Sequence, residues 1–244
     1  MKKGFVTTQN FKRLAEAQQA VERRGPKEAG LVIIRGPYGV GKSALVERFA
    51  LDHDAVFVRC METWTKRGLL DAVAKCMGLD TRGRNSEVQA RIIGRQAVDM
   101  KPMIFDEADF LVRSTAALLE CIRDITDTTG CACFLVGMET FGNRLVRYGH
   151  IASRVAKVVE FQPLTPADVQ ATCDKLCEVP LTPEVVAEVH RQSGGRMRLA
   201  LAAISNIEQW AEANGWPSVA AEHIKGRPLC VEFKPEGGRR GVPL

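Results

Sequence analysis

Apolar residues recur along this chain in two rhythms. Five short runs are almost continuously apolar: Leu31-Val32-Ile33-Ile34, Ala55-Val56-Phe57-Val58, Pro102-Met103-Ile104-Phe105, residues 131–136, and Lys157-Val158-Val159-Glu160-Phe161. Their β-branched and aromatic content predicts buried strands. Between them lie stretches with helical spacing. Phe11, Leu14, Ala15, Gln18 and Val21 predict a helix over 8–24, ended by Gly25-Pro26. Further helices are expected over 43–52, 68–78, 86–99, 114–129 and 140–154, the third of these opened by Ser86. Strands separated by helix-length segments imply parallel β-α-β units, whose strands are covered on both faces. The expected class is α/β, a parallel five-stranded sheet with flanking helices.

From Gln162-Pro163-Leu164-Thr165 onward the pattern is helical only. Thr165-Pro166-Ala167-Asp168 and Thr182-Pro183-Glu184 each set a capping residue before a proline at the first helical position. A third helix is expected from about Arg196 through Leu199, Leu201, Ile204 and Trp210 to Asn214-Gly215. We therefore expect an α/β domain over 1–161, a small α-helical domain over 162–224, and a loosely ordered basic tail over 225–244. That tail repeats Pro and Gly and carries three arginines and two lysines against two glutamates.

Composition narrows the class. The chain has 244 residues, 45% of them hydrophobic, which is ordinary for a globular protein. No apolar run approaches the ~20 residues that cross a bilayer, so no membrane partner is expected. The basic residues at the N-terminus precede no long apolar segment, which argues against a signal peptide. Eight cysteines form no C-x-x-C pair, and several sit inside apolar runs. They are expected as reduced core residues of a cytoplasmic protein, and the four scattered histidines argue against a zinc site. A net charge of +5 allows a nucleic-acid partner without requiring one.

The chemistry is concentrated at two strand ends. Gly36-Pro37-Tyr38-Gly39-Val40-Gly41-Lys42-Ser43 fits G-x-x-x-x-G-K-[ST], with an apolar run before it and a helical stretch from Ser43-Ala44 after it. Glycines let backbone N–H groups curl around phosphates, and the helix N-terminus adds a positive dipole end. Lys42 is the expected β/γ-phosphate contact and Ser43 a Mg²⁺ ligand, so the chain is expected to bind ATP with Mg²⁺. The second strand end carries Asp106-Glu107. In a parallel sheet both strand ends meet at one edge. Asp106 is then placed to hold the Mg²⁺ and Glu107 to take a proton from the attacking water. Asp109 is expected at the surface or as a helix cap.

These motifs, with an arginine-bearing stretch before the fifth strand and a helical segment after it, resemble the AAA+ ATPases over residues 8–224. The resemblance implies further roles. Arg154 of Ser153-Arg154 resembles the arginine finger that reaches a neighbouring subunit's γ-phosphate, with Arg144 and Arg147 as competitors. Arg198 of Gly194-Gly195-Arg196-Met197-Arg198 resembles the second sensor. One departure is Gly137-Met138-Glu139-Thr140 after the fourth strand, where the family usually carries a polar first sensor. That implies slow hydrolysis, stimulated by DNA and assembly.

Within that family the compact size, the Val136-Gly137-Met138-Glu139 exit and the run Gly149 to Arg154 look like the ATPases of Mu-like transposable phages and related transposons. That implies self-association into a ring or helical filament on double-stranded DNA, without sequence preference. It also implies delivery of that DNA to a transposase in the cytoplasm of a bacterial host. No room precedes residue 8 for a helix-turn-helix domain, so DNA contact would fall to the ATPase domain. Thr65, Lys66 and Arg67 after the second strand and Arg82 and Arg84 between two helices are the expected phosphate contacts, with Gly68 and Gly83 allowing close approach. The alternative is a helicase loader, or another AAA+ ATPase that acts on a protein partner.

Overall fold

The five apolar runs form one sheet, in the order β2-β3-β4-β1-β5, with every neighbouring pair parallel. The computed structural model describes residues 1–112 and 116–232. Strands run Leu31–Arg35 (β1), Val56–Arg59 (β2), Met103–Asp106 (β3), Cys133–Gly137 (β4) and Val155–Glu160 (β5). The helices before and between them are α1 (Gln9–Glu22), α2 (Lys42–Asp52), α3 (Lys66–Cys76), α4 (Asn85–Asp99), α5 (Ala117–Thr129), α6 (Phe141–Leu145) and α7 (Gly149–Ala152), with a 3₁₀ turn at Ala108–Val112.

Alternation of side chains gives the sheet two cores. On one face Leu31, Ile33, Met103, Phe105, Cys133 and Leu135 pack with residues of α3, α4 and α5 such as Val73, Ile92 and Ile122. On the other, Phe49 of α2 meets Phe134 of β4 with ring centroids 5.3 Å apart. Cover on both faces is why the central strands read as unbroken apolar runs. Six of the eight cysteines are buried, four of them in the first of these cores. Among the described residues no helix is long and apolar enough to cross a membrane.

Two local expectations need correcting. The stretch 140–154 is not one helix but α6 and α7, interrupted at Val146–Tyr148. Phe141, Leu145 and Ile151 all enter the same core. Leu145 and Ile151 are six residues apart, about 240° around a continuous helix, so a break is what lets both point inward. Residues 65–67 are not an open connection: Thr65 caps α3 by accepting from the Gly68 N–H at 3.3 Å, and Lys66 and Arg67 form its first turn. The first two residues of the helix expected at 114–129 lie outside the described residues.

Contacts divide the described residues into two compact units, 7–162 and 1–6 with 163–232. The second contains α8 (Pro166–Leu176), α9 (Pro183–Ser193), α10 (Met197–Asn214) and α11 (Ala221–Ile224). Thr165 and Asp168 cap α8 reciprocally, each side chain accepting from the other's backbone N–H at 3.1 Å. Val169, Val185, Val189, Ala200, Ile204 and Ile207 form its core. Before α10, Gly195 has φ +70, and a Cβ there would lie 2.6 Å from the Leu164 carbonyl oxygen. Only glycine fits that turn. Of the tail expected to be loose, residues 225–232 are tied to this unit. The Leu229 N–H donates to Gln192 Oε1 at 2.7 Å, and the Arg227 guanidinium lies 5.1 Å from the Trp210 ring centroid. Residues 233–244 lie outside the described residues.

Candidate nucleotide site

Strand order brings three chain exits together. β4 lies between β3 and β1, so the residues after β4 sit between Asp106-Glu107 and the glycine loop. The loop leaves β1 at Gly36, where a Cβ would lie 2.4 Å from the Phe161 carbonyl oxygen. Gly39 and Gly41 have φ +79 and +90, the left-handed region that glycine enters without penalty. Gly41 is the N-cap of α2, so the N-terminus of an eleven-residue helix opens onto the loop.

Lys42 is folded back across this loop. Its Nζ donates to the Gly36 and Pro37 carbonyl oxygens at 2.7 Å each and lies 4.0 Å from Met138 Sδ. Burial lowers its pKa, while Glu107, Asp106, Asp109 and Glu139 oppose that shift, Glu107 most strongly. The ammonium is thus held by two main-chain acceptors of the kind that phosphate oxygens replace.

Asp106 ends β3 and is 2% exposed. Its Oδ1 accepts from the Glu107 N–H at 3.0 Å, and its Oδ2 lies 3.3 Å from Arg59 Nη2. Glu107 is exposed and has φ +56, a left-handed conformation that costs a non-glycine residue about 1–2 kcal/mol. The chain turns there and enters the 3₁₀ segment. Ser43 and Asp106 offer hard oxygen donors, the set that suits Mg²⁺ completed by phosphate oxygens and water.

Two features were not legible in sequence. Asp109 is no surface residue: its Oδ2 accepts from the Met138 N–H at 2.7 Å, and its Oδ1 lies 3.8 Å from Arg144 Nη1. Arg59, at the end of β2, reaches both Asp106 and Glu47. Parallel pairing sets Arg59 opposite Asp106, but no local motif announces it.

Arg154 is not brought to this loop. Its carbonyl accepts from the Leu31 N–H at 3.0 Å, so it stands at the opposite edge of the sheet, one strand length of about 15 Å away. Its guanidinium bonds to Asp127 Oδ2 at 3.3 Å and Ser153 Oγ at 2.9 Å. Arg147 is exposed between α6 and α7, and Arg198 is exposed in the first turn of α10.

The five expected DNA contacts fall close together, but Thr65, Arg67 and Arg82 are engaged within the chain. Arg67 pairs with Asp71 at 2.9 Å and donates to the carbonyl oxygens of Thr81 and Gly83. Arg82 pairs with Asp80 at 2.9 Å. Thr65 is occupied as a helix cap. Lys66 and Arg84 are exposed. Gly83 serves the turn rather than close approach: its φ is +98, and a Cβ would collide with Glu87 Oε2, which caps the Arg84 N–H at 2.8 Å. Gly68 lies against the Trp64 ring, where a Cβ would sit 3.3 Å away.

The family described as AAA domain matches residues 23–145, half of the chain. No curated protein matches. Among solved structures the chain is similar to the Aeropyrum pernix ORC2 protein in its ADPNP–ADP complexes, with a TM-score of 0.68 at 16% identity over 88% of this chain. It is similar to the Aeropyrum pernix ORC1 protein in complex with DNA, with a TM-score of 0.61 at 21% identity over 90% of this chain. It is also similar to the Thermotoga maritima RuvB Holliday junction branch migration motor, with 0.60 at 17% over 90% of this chain and 68% of that one. The chain spans 65% and 64% of the two ORC chains, and at these identities the likeness is one of fold. The glycine loop, the parallel sheet and the family match agree, and the chain belongs to the AAA domain family.

Proposed function

We propose that this protein is an ATP-dependent ATPase that binds double-stranded DNA without sequence preference. The observation that carries the nucleotide half is the meeting of Lys42, Asp106 and Glu107 at one sheet edge. The loop N–H groups and the α2 N-terminus bind the phosphates, and Lys42 exchanges its two carbonyl acceptors for phosphate oxygens. Ser43 and Asp106 would hold Mg²⁺, which would supply charge neutralisation of the bound phosphates. Glu107 orients the attacking water and takes its proton. Arg198 is assigned to the bound phosphates. Arg154, a sheet length from its own loop, is assigned to a neighbouring subunit's γ-phosphate, which makes assembly into a ring or filament part of the chemistry. Met138 brings a thioether rather than a hydrogen-bond donor to the middle of the site, so hydrolysis is slow.

The DNA half rests on exposed Lys66 and Arg84 beside the Arg67-stapled loop, and on neighbours named as an ORC1 protein with DNA and a branch migration motor. Phosphate contacts of this kind give affinity without base selectivity. The finer role, delivery of that DNA to a transposase in a bacterial cytoplasm, follows from the resemblance to the transposition ATPases. The internal pairing of Arg67 and Arg82 favours the second reading, an AAA+ ATPase or helicase loader that acts on a protein. Binding of random duplex and of single strands across a salt series, with and without ATP, separates them. ATP-dependent, salt-sensitive preference for duplex supports the first reading, and equal or absent binding removes it.

A further inference from the structure

Arg59 is, among the described residues, a guanidinium joined to the acid that ends β3. It is the last residue of β2 and stands opposite Asp106 in the parallel register, with Nη2 3.3 Å from Asp106 Oδ2. The same nitrogen lies 3.0 Å from Glu47 Oε1. Glu47 is on α2, four residues after Ser43 and therefore on the same helical face. One cation thus bridges the acidic strand end and the helix that carries the hydroxyl.

Asp106 is 2% exposed, and a buried carboxylate is costly unless it is paired. Its two oxygens are addressed separately, Oδ1 by the Glu107 N–H and Oδ2 by Arg59. The orientation of the carboxylate is then fixed from both sides, with Arg59 shared between Asp106 and Glu47. Glu107, Asp109 and Glu139 also act on Lys42, so Arg59 adds a cation beside a cluster of carboxylates.

Resting on the nucleotide-site reading above, we propose that Arg59 is a positioning residue that makes the site accept its divalent cation only together with the nucleotide. A bare dication approaching Asp106 meets the Arg59 charge a few ångströms away and must compete with it for the same Oδ2. A cation already bound to a triphosphate arrives with net negative charge and is not repelled. Arg59 keeps Glu47 as an anchor, so it need not leave the site to let Asp106 turn toward the metal.

The test uses the full chain and Mn²⁺ as the spectroscopic probe. Free Mn²⁺ is titrated by electron paramagnetic resonance against the parent, Arg59→Ala and Arg59→Lys, without nucleotide. A fluorescent ATP analogue is then titrated against each protein at several Mn²⁺ concentrations. Arg59→Ala is expected to bind Mn²⁺ alone at least about tenfold more tightly than the parent, with Arg59→Lys close to the parent because the charge is kept. The Mn²⁺ concentration that supports analogue binding should fall in the same ratio. Equal Mn²⁺ affinity and equal metal requirement in all three proteins, with the analogue bound by each, would overturn the assignment. Failure of the parent itself to bind the analogue would instead remove the nucleotide-site reading on which it rests.

Discussion

Asp109 and Met138 are joined across the site by a hydrogen bond of 2.7 Å, from the Met138 N–H to the Asp109 carboxylate. Gly137 makes this possible, since a Cβ there would lie 2.7 Å from the same oxygen. The bond fixes the exit of β4, and with it the thioether 4.0 Å from Lys42 Nζ. Asp109→Ala leaves that N–H without its partner. The expected loss is about 1–3 kcal/mol, read as a lower midpoint in chemical denaturation. Met138→Asn puts an amide where the thioether stands, and single-turnover ATP hydrolysis should rise severalfold. Turnover at or below the parent's, in a variant that still binds ATP, removes Met138 as the brake.

Lys42 and Glu107 separate binding from chemistry. Lys42→Ala removes the cation that the phosphates meet, and nucleotide affinity should fall by at least about tenfold. Glu107→Gln keeps the side-chain shape but cannot accept the water's proton, so the protein should bind ATP and retain it uncleaved. The measurement is retained radiolabelled ATP after gel filtration. Equal turnover by Glu107→Gln and the parent would take the base role away from Glu107.

Much of this site was legible because its signals are local. The glycine loop compresses strand, turn and helix N-terminus into eight residues, and Asp106-Glu107 follows an apolar run directly. The central strands β1, β3 and β4 were legible for a related reason: cover on both faces removes the polar alternation that obscures exposed strands. What stayed hidden depends on partners far away in sequence. Asp109 meets Met138 across 29 residues, and Arg59 meets Asp106 across 47. The break between α6 and α7 answers to a shared core rather than to a proline, and no residue inside 146–148 signals it. The arginines at 67 and 82 read as free charge because their acceptors, two backbone carbonyls and a neighbouring aspartate, carry no sequence signature of pairing.

That pairing changes which substitutions should affect DNA. Lys66→Ala with Arg84→Ala removes exposed cations, and each lost phosphate contact should flatten the slope of log K against log[salt] by about 0.9. Arg67→Ala acts differently, since it releases the loop at 81–83 from α3 and should raise hydrogen exchange there. Duplex affinity across a salt series, paired with exchange at residues 80–84, distinguishes the two effects. A parent-like salt slope in the Lys66/Arg84 double variant removes this surface from the interface and leaves the basic residues of the tail as the next candidates.

Arg154 carries the prediction about assembly. Its position beside the start of β1, with the phosphate loop at the other end of that strand, prevents it from acting on its own nucleotide. Its guanidinium is held instead by Asp127 and Ser153, so a role in trans requires it to leave Asp127. An arginine supplied in trans is worth ~10³–10⁵ in rate in related phosphoryl-transfer systems. ATPase activity per subunit should therefore rise with protein concentration and fall to the basal level in Arg154→Ala. Mixing Arg154→Ala with Lys42→Ala subunits should restore part of it, because one class of interface then joins an intact arginine to an intact loop. If the two variants co-assemble, as judged by sedimentation, and activity still does not return, the finger lies elsewhere. Arg147, exposed between α6 and α7, is the next residue to substitute in the same mixing experiment.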